Sequence, residues 1–86
     1  MEIIYSKYFV KQYKKLPKDV QNKFKKRLDV FQNDNQNSIL NTHGLRGVYA
    51  GKYSFNVTAD YRVIFAYTEE GVAMLIDIGT HSKLYS

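Results

Sequence analysis

The hydrophobic residues of this chain change their spacing after residue 33. Up to that point they recur every three or four positions, as on one face of a helix. These residues are Phe9, Val10, Tyr13, Leu16, Val20, Phe24, Leu28 and Phe31. From residue 53 onwards the apolar residues either alternate with polar ones or run continuously, as in strands. The chain therefore combines helices with a sheet, and its helices come first.

A proline divides the helical segment in two. Pro17 interrupts a helix because it lacks an N–H, and proline is favoured as the first residue of the next helix. Ser6 precedes the first apolar stripe and is a candidate N-cap. The polar run 32–38 stops the second helix and forms a loop. The pattern predicts two amphipathic helices that are joined tightly, an αα-hairpin.

Three strand candidates follow one another with short links. They are Tyr53–Val57, Tyr61–Tyr67 and Val72–Ile78, with the turns 58–60 and 69–71 between them. Parallel neighbours need a crossover of about a dozen residues, so these strands must pair antiparallel. Another short strand candidate, Glu2–Tyr5, precedes the helices. The predicted fold is α+β with the order β-α-α-β-β-β, a helical hairpin packed on one face of a small antiparallel sheet.

The positive charge of the chain lies in its helical part. Thirteen Lys and Arg residues against eight Asp and Glu residues give a net charge of +5. Residues 1–33 alone carry +6, whereas residues 34–86 carry −1. A basic helical surface suits a polyanionic partner such as nucleic acid, although the same charge also serves solubility.

Several classes of protein are excluded by residues and motifs that the chain lacks. With no cysteine, it forms no disulfide, thiolate zinc site, iron–sulfur cluster or cysteine nucleophile. No apolar run approaches the roughly 20 residues of a membrane span. No glycine motif for nucleotide phosphates occurs. We therefore expect one cytoplasmic domain over residues 1–86 that needs no cofactor and no metal and contacts no membrane.

The only two histidines lie at the ends of predicted elements. His43 precedes the strands, and His81 follows the last of them. Two histidines are too few for a metal site, but they suffice for RNA cleavage without metal. That reaction needs a base for the ribose 2′-OH, an acid for the leaving 5′-oxygen and a cation for the phosphorane charge. Histidine suits the first two roles near neutral pH, yet both residues can equally be surface or capping residues.

Four stretches in the second half of the chain carry a family resemblance. They are His43-x-Leu45-Arg46-Gly47, Gly51-Lys52-Tyr53-Ser54-Phe55, Asp60-Tyr61-Arg62-Val63-Ile64-Phe65 and Asp77-Ile78-Gly79-Thr80-His81-x-x-Leu84-Tyr85. They resemble the RelE/ParE superfamily of bacterial toxins, and most of all its YafQ-type mRNA interferases. The closing G-T-H-x-x-L-Y is the most specific of the four. The family's order of elements matches the predicted one, so the resemblance covers essentially the whole chain.

The resemblance implies a role for five residues. His81 matches the C-terminal catalytic histidine and is the expected general acid. His43 and Asp60 both match family positions that can supply the base, and the choice between them stays open. Arg62 matches the superfamily arginine that stabilises the phosphorane charge. Tyr85 matches the C-terminal aromatic and is expected to stack on an RNA base.

The resemblance also implies partners. An interferase enters the ribosome and cuts mRNA there, so the basic helices would hold rRNA phosphates. The lysines expected to do so are Lys7, Lys11, Lys14, Lys18, Lys23, Lys25 and Lys26. As the toxin of a type II toxin–antitoxin pair, the protein would bind a cognate acidic, partly disordered antitoxin. Operator DNA would be bound only by the toxin–antitoxin complex.

Two positions depart from the YafQ pattern and keep other functions open. Ser54 and Asn56 stand where that branch has a further aspartate and histidine. Their absence favours, as an alternative, a ParE-like toxin that inhibits DNA gyrase and cuts no RNA. The pair His81 and Tyr85 argues against this alternative, because a gyrase inhibitor has no chemical need for them. A third interpretation is an RNA-binding module without catalytic activity.

Overall fold

The computed structural model of the protein describes residues 1–85. Its elements are β1 (Glu2–Tyr5), α1 (Lys7–Lys14), α2 (Lys18–Asn33), β2 (His43–Gly44), β3 (Tyr53–Asn56), β4 (Tyr61–Glu69), β5 (Val72–Thr80) and α3 (His81–Leu84). Two 3₁₀ turns, Ser38–Leu40 and Gly47–Tyr49, lie between α2 and β3. The predicted α+β fold is confirmed, and the two-residue strand β2 and the one-turn helix α3 are additions to it.

The five strands form one sheet in the order β1-β5-β4-β3-β2. The pairs β3–β4 and β4–β5 are antiparallel, as the short links predicted. The first strand departs from the wholly antiparallel sheet that we expected, because β1 pairs with β5 in parallel. Parallel pairing needs a long connection, and the helices and the intervening strands between β1 and β5 supply it. The sheet is therefore mixed.

The start of each long helix follows from the residue before it. The Ser6 Oγ accepts a hydrogen bond of 2.9 Å from the Phe9 N–H and donates one of 3.0 Å to the Ile76 carbonyl. The predicted N-cap is thus confirmed, and it also ties α1 to β5. Pro17 is the N-cap of α2 rather than its first residue, since its ψ of 149° is extended. Neither these helices nor α3 is long and apolar enough to cross a membrane.

Replacing the Ser6 hydroxyl should destabilise the fold measurably. In Ser6→Ala, both the Phe9 N–H and the Ile76 carbonyl lose their hydrogen-bond partner. We expect a loss of about 1–2 kcal/mol in the free energy of unfolding, measured by urea denaturation. The matched control is Ser38→Ala, because Ser38 is exposed and the cap of its 3₁₀ turn is Asn37. A Ser6→Ala variant as stable as this control would contradict the prediction.

The core lies between the helices and one face of the sheet. Three phenylalanines with no solvent exposure form its centre: Phe31 of α2, Phe55 of β3 and Phe65 of β4. The Phe31 ring lies 4.8 Å from each of the other two, measured between centroids. Because α2 covers this face, the polar residues that alternate with the core residues along β3 and β4 lie on the opposite face.

Candidate active site

The face of the sheet away from the helices carries the predicted site residues. Directly paired residues of antiparallel strands share a face. Asn56 pairs with Arg62, and Arg62 pairs with Gly79 on β5. Ser54 lies two residues before Asn56 on β3 and therefore on the same face, where it pairs with His43 of β2 and Ile64 of β4. We call this surface the polar face.

His81 begins α3 directly after β5. The strand continues through Gly79 to Thr80, whose Oγ1 accepts a hydrogen bond of 3.2 Å from the Lys83 N–H and so caps the helix. The His81 N–H donates a 2.9 Å hydrogen bond to the Asp60 carbonyl. Asp60 belongs to the β3–β4 turn, next to Arg62. The fold therefore brings His81, Asp60 and Arg62 to one end of the sheet.

The Tyr85 ring completes this end of the site. It lies 4.8 Å from the His81 ring and 6.0 Å, nearly perpendicular, from the Tyr49 ring. The Tyr49 hydroxyl donates a 3.3 Å hydrogen bond to the Leu84 carbonyl. Burial raises the pKa of Tyr49, and the charges of Asp77, Tyr85 and Tyr8 add to the effect. Tyr49 was not predicted as a site residue, because its 3₁₀ turn meets α3 only in the folded chain.

Several buried polar side-chain atoms have no hydrogen-bond partner in the described part of the chain. Among residues 1–85 they are Thr42 Oγ1, Ser54 Oγ, Asn56 Oδ1, Arg62 Nε and the Tyr85 hydroxyl. Most buried polar groups in proteins are paired, and an unpaired one is costly. Three of these residues, Ser54, Asn56 and Arg62, lie on the polar face. The Arg62 guanidinium makes one long hydrogen bond, 3.4 Å, to the Ala59 carbonyl.

His43 lies on the opposite side of the polar face from His81. It is exposed on β2, and its Nδ1 lies 3.0 Å from the Asn41 carbonyl. Because a carbonyl only accepts, the Nδ1–H of His43 is the donor in this contact. Strands β2 and β5 are separated by three strand spacings, about 14 Å. The two histidines thus lie on opposite sides of β3 and β4.

Asp77 is a carboxylate of the polar face that the sequence analysis did not select. Asp77 pairs with Ile64 of β4. The next residue of β4, Phe65, pairs with Leu75, so Ile76 is left without a partner on β4 and β5 forms a bulge beside Asp77. Burial raises the pKa of Asp77, whereas a hydrogen bond from the Ile78 N–H (2.7 Å) and the charge of Lys83 oppose this shift. The feature of the sequence that could have identified Asp77 is that it is a single charged residue inside an otherwise apolar strand.

Asp77 should make the stability depend on pH. The pKa of Asp77 is raised in the folded state. The neutral carboxyl therefore stabilises the fold at a pH below its ordinary pKa of 3.8. This contribution is lost as the pH rises through the raised pKa. We therefore expect Asp77→Asn to melt at a higher temperature than the wild type at pH 7–8. The difference should shrink towards zero as the pH falls to 3.8.

Calorimetry between pH 3.5 and pH 8 measures this difference. The control is Glu70→Gln, which removes the same charge from an exposed position between β4 and β5. An equal gain in both variants would contradict a specific role for Asp77, as would an Asp77→Asn protein that is less stable at neutral pH.

The seven predicted RNA-binding lysines lie in the helix layer, behind the polar face. All seven are exposed. Two of them, Lys23 and Lys26, line a shallow pocket of about 270 Å³ together with Arg27, Val57 and Thr58. Because these last two residues lead into the β3–β4 turn, this pocket adjoins the segment that holds Asp60. The other five predicted lysines do not line this pocket.

The polar face combines two imidazoles, a carboxylate and a guanidinium. These residue types can serve as a general base, a general acid and a charge-stabilising cation. Within residues 1–85, no three His, Asp or Glu side chains are grouped closely enough to hold a metal ion.

Comparison with known proteins identifies the family. The family model described as "Bacterial toxin of type II toxin-antitoxin system, YafQ" matches residues 1–86. A search of curated proteins finds no match. Among solved structures, YafQ from E. coli strain BL21(DE3) superposes with a TM-score of 0.82 at 24% sequence identity. This alignment covers 99% of this chain and 98% of that one.

Two further structures have the same fold. The toxin in the E. coli DinJ-YafQ toxin–antitoxin complex is 25% identical, with a TM-score of 0.79 and coverage of 99% of this chain and 97% of that one. The YoeB/ParE toxin from Agrobacterium tumefaciens is 16% identical, with a TM-score of 0.77 and coverage of 94% and 99%. The RelE-like fold expected from the resemblance is confirmed. The chain belongs to the YafQ family of bacterial toxins from type II toxin–antitoxin systems.

Proposed function

We propose that this toxin is an mRNA endoribonuclease that cleaves without metal. The 2′-hydroxyl of a ribose attacks the adjacent phosphorus, the bond to the leaving 5′-oxygen breaks, and a 2′,3′-cyclic phosphate remains. The observation that carries the proposal is the placement of His43 and His81 on opposite sides of one polar face, with Arg62 between them.

The positions of the two histidines suggest their roles. In an in-line displacement the attacking and leaving oxygens lie on opposite sides of phosphorus, so the base and the acid must also lie on opposite sides. His81 is the general acid. His43 is the base, because the contact of its Nδ1 with the Asn41 carbonyl orients the ring and leaves Nε2 free to take a proton. Asp60 lies on the His81 side, and there its carbonyl holds the first residue of α3.

Arg62 and Tyr85 complete the proposed site. Arg62 stabilises the charge that develops on the phosphorane oxygens. Tyr85, packed against His81, offers one face of its ring to a base of the message. Ser54 and Asn56 supply no titrating group, so this toxin relies on fewer proton-transfer residues than the YafQ pattern provides.

The substrate is mRNA on the ribosome. Seven exposed lysines in the helix layer bind phosphates of rRNA without reading sequence, and this leaves the polar face turned towards the message. Both molecules are found in the cytoplasm, where the toxin would act.

The second partner is an acidic antitoxin. The similar E. coli YafQ has been solved in complex with DinJ. Here an open apolar groove of about 320 Å³ lies beside α1, and its lining residues are Tyr5, Phe9, Val10, Tyr13, Phe24, Lys25 and Leu28. Lys25 in the wall and the neighbouring lysines of α1 complement an acidic amphipathic segment of the antitoxin. Operator DNA would be bound by the toxin–antitoxin complex.

Mapping of RNA ends after brief expression of the toxin tests this function. Primer extension should show cuts in translated messages that keep a constant phase with the codons. A copy of one message without its ribosome-binding site is the control and should stay intact. Equal cleavage of that control would contradict ribosome dependence. Growth arrest with intact messages and broken chromosomal DNA would instead support the ParE-like alternative.

A further inference from the structure

Gln12 of α1 is buried although it carries an amide. It is 6% exposed, and Ser54 is the other buried polar side chain in the described part of the chain. An amide is costly to bury unless it is hydrogen-bonded. The Gln12 Oε1 accepts a 3.3 Å hydrogen bond from the Lys83 Nζ, across 71 residues of sequence. The two side chains line a small groove of about 180 Å³ between α1 and α3.

Lys83 belongs to α3, two residues after His81. A helix of one turn does not hold its own position, so contacts with the rest of the protein must place it. Leu84 packs over Gly79, where an added Cβ would lie 3.6 Å from the Leu84 Cδ2. The Tyr49 hydroxyl binds the Leu84 carbonyl, and the Asp60 carbonyl binds the His81 N–H. These contacts hold the backbone of α3 and its buried side.

The bond to Gln12 is different, because it joins an exposed side chain of α3 to the helix layer. Lys83 and His81 are neighbours on a one-turn helix, so a rotation of α3 about its axis moves both. Gln12 resists that rotation from outside the polar face. The proposed proton transfers assign no role to Gln12 or Lys83.

We infer that Gln12 is a positioning residue, which holds α3 through Lys83 and thereby sets the orientation of the His81 ring towards the message. This inference rests on the proposed function of His81 as the general acid. A displacement of about 1 Å at a reacting group can lower a rate by up to 10²-fold. The loss of one long hydrogen bond should therefore show mainly in kcat.

Two variants of Gln12 separate this role from packing. Gln12→Met keeps the volume and loses the acceptor, whereas Gln12→Glu keeps an acceptor and adds an ion pair with Lys83. We expect Gln12→Met to lower kcat by about tenfold with KM changed less than about twofold, and Gln12→Glu to restore most of the rate. Lys83→Met should cause the same loss, and the double variant Gln12→Met/Lys83→Met should lose no more than either single one. Lys15→Met is the control for charge, since exposed Lys15 lines the same groove.

NMR gives a second readout that needs no cleavage. The rings of Tyr49 and Tyr85 belong to different elements and have centroids 6.0 Å apart, so they should show nuclear Overhauser contacts in the wild type, in Gln12→Glu and in Lys15→Met. These contacts should weaken in Gln12→Met and in Lys83→Met. Because Lys83 is exposed, its variant carries the test if Gln12→Met does not fold.

The outcomes are distinguishable from failure of the proposed function. Unchanged Tyr49–Tyr85 contacts and unchanged kcat in Gln12→Met and Lys83→Met would overturn the inference. An additive loss in the double variant would also overturn it. If the wild type cleaves no RNA but the contacts weaken in both variants, the positioning of α3 by Gln12 stands and the proposed nuclease function fails.

Discussion

His81→Ala should lower the rate of mRNA cleavage by about 10²–10⁴-fold, the range that a general acid contributes. The alanine removes the imidazole that protonates the leaving 5′-oxygen. The helix should remain in place, because its contacts with Asp60 and Gly79 involve the backbone of residue 81 and the side chain of Leu84. The measurement is single-turnover cleavage of a defined message on programmed ribosomes, with circular dichroism as the check on folding.

A neighbouring residue offers a matched control for this experiment. Ser82→Ala changes the next position of α3, which is also exposed, and should leave the rate within about twofold of the wild type. A His81→Ala toxin that still arrests growth and cuts messages at the wild-type rate would refute the role of His81 as the acid. His43→Ala and Asp60→Asn then distinguish the base, because only loss of the true base should lower the single-turnover rate to a similar extent.

Phe31→Ala should remove a large part of the stability of the fold. Phe31 has no solvent exposure, and its ring contacts both Phe55 and Phe65 with centroids 4.8 Å away. Replacing a buried phenylalanine with alanine costs about 3–5 kcal/mol, since apolar burial is lost and a cavity remains. A small domain is often only about 5–15 kcal/mol more stable than its unfolded state. Thermal unfolding should therefore begin more than about 10 °C lower.

An exposed apolar residue is the control for this substitution. Val48 is 91% exposed, so Val48→Ala should change the free energy of unfolding by less than about 0.5 kcal/mol. Chemical denaturation of both variants beside the wild type gives the comparison. A Phe31→Ala protein that loses less than about 1 kcal/mol would show that the three-phenylalanine centre of the core is not packed as described.

The two faces of the sheet explain why these predictions are independent. Phe55 and Val63 point towards the helices and belong to the core, whereas their neighbours Asn56 and Arg62 lie on the polar face. A strand turns successive side chains to opposite faces. Large apolar residues can thus stabilise the fold without entering the site, and the site can keep unpaired polar groups without opening the core.

Much of the fold followed from local patterns. The apolar stripe from Val20 to Phe31 predicted α2, and the short links around Asp60 and Glu70 predicted the antiparallel order of β3, β4 and β5. The parallel partner of β1 was not predictable in this way. A four-residue strand has no pattern that records its direction, and its partner lies at the other end of the chain.

The sequence by itself determined the family, the order of the main elements and the choice of His81, His43, Asp60, Arg62 and Tyr85 as candidates. Their catalytic roles stay predictions. Only the tertiary structure decided that His81 meets Asp60, that His43 lies across the sheet and that Asp77 belongs to the same face. It also joined Gln12 to Lys83. The physical reason is the distance along the chain over which the interactions act. Periodicity and turns reflect contacts between residues that are close in sequence. Strand register and side-chain pairing across the fold arise from packing between segments that are far apart in sequence.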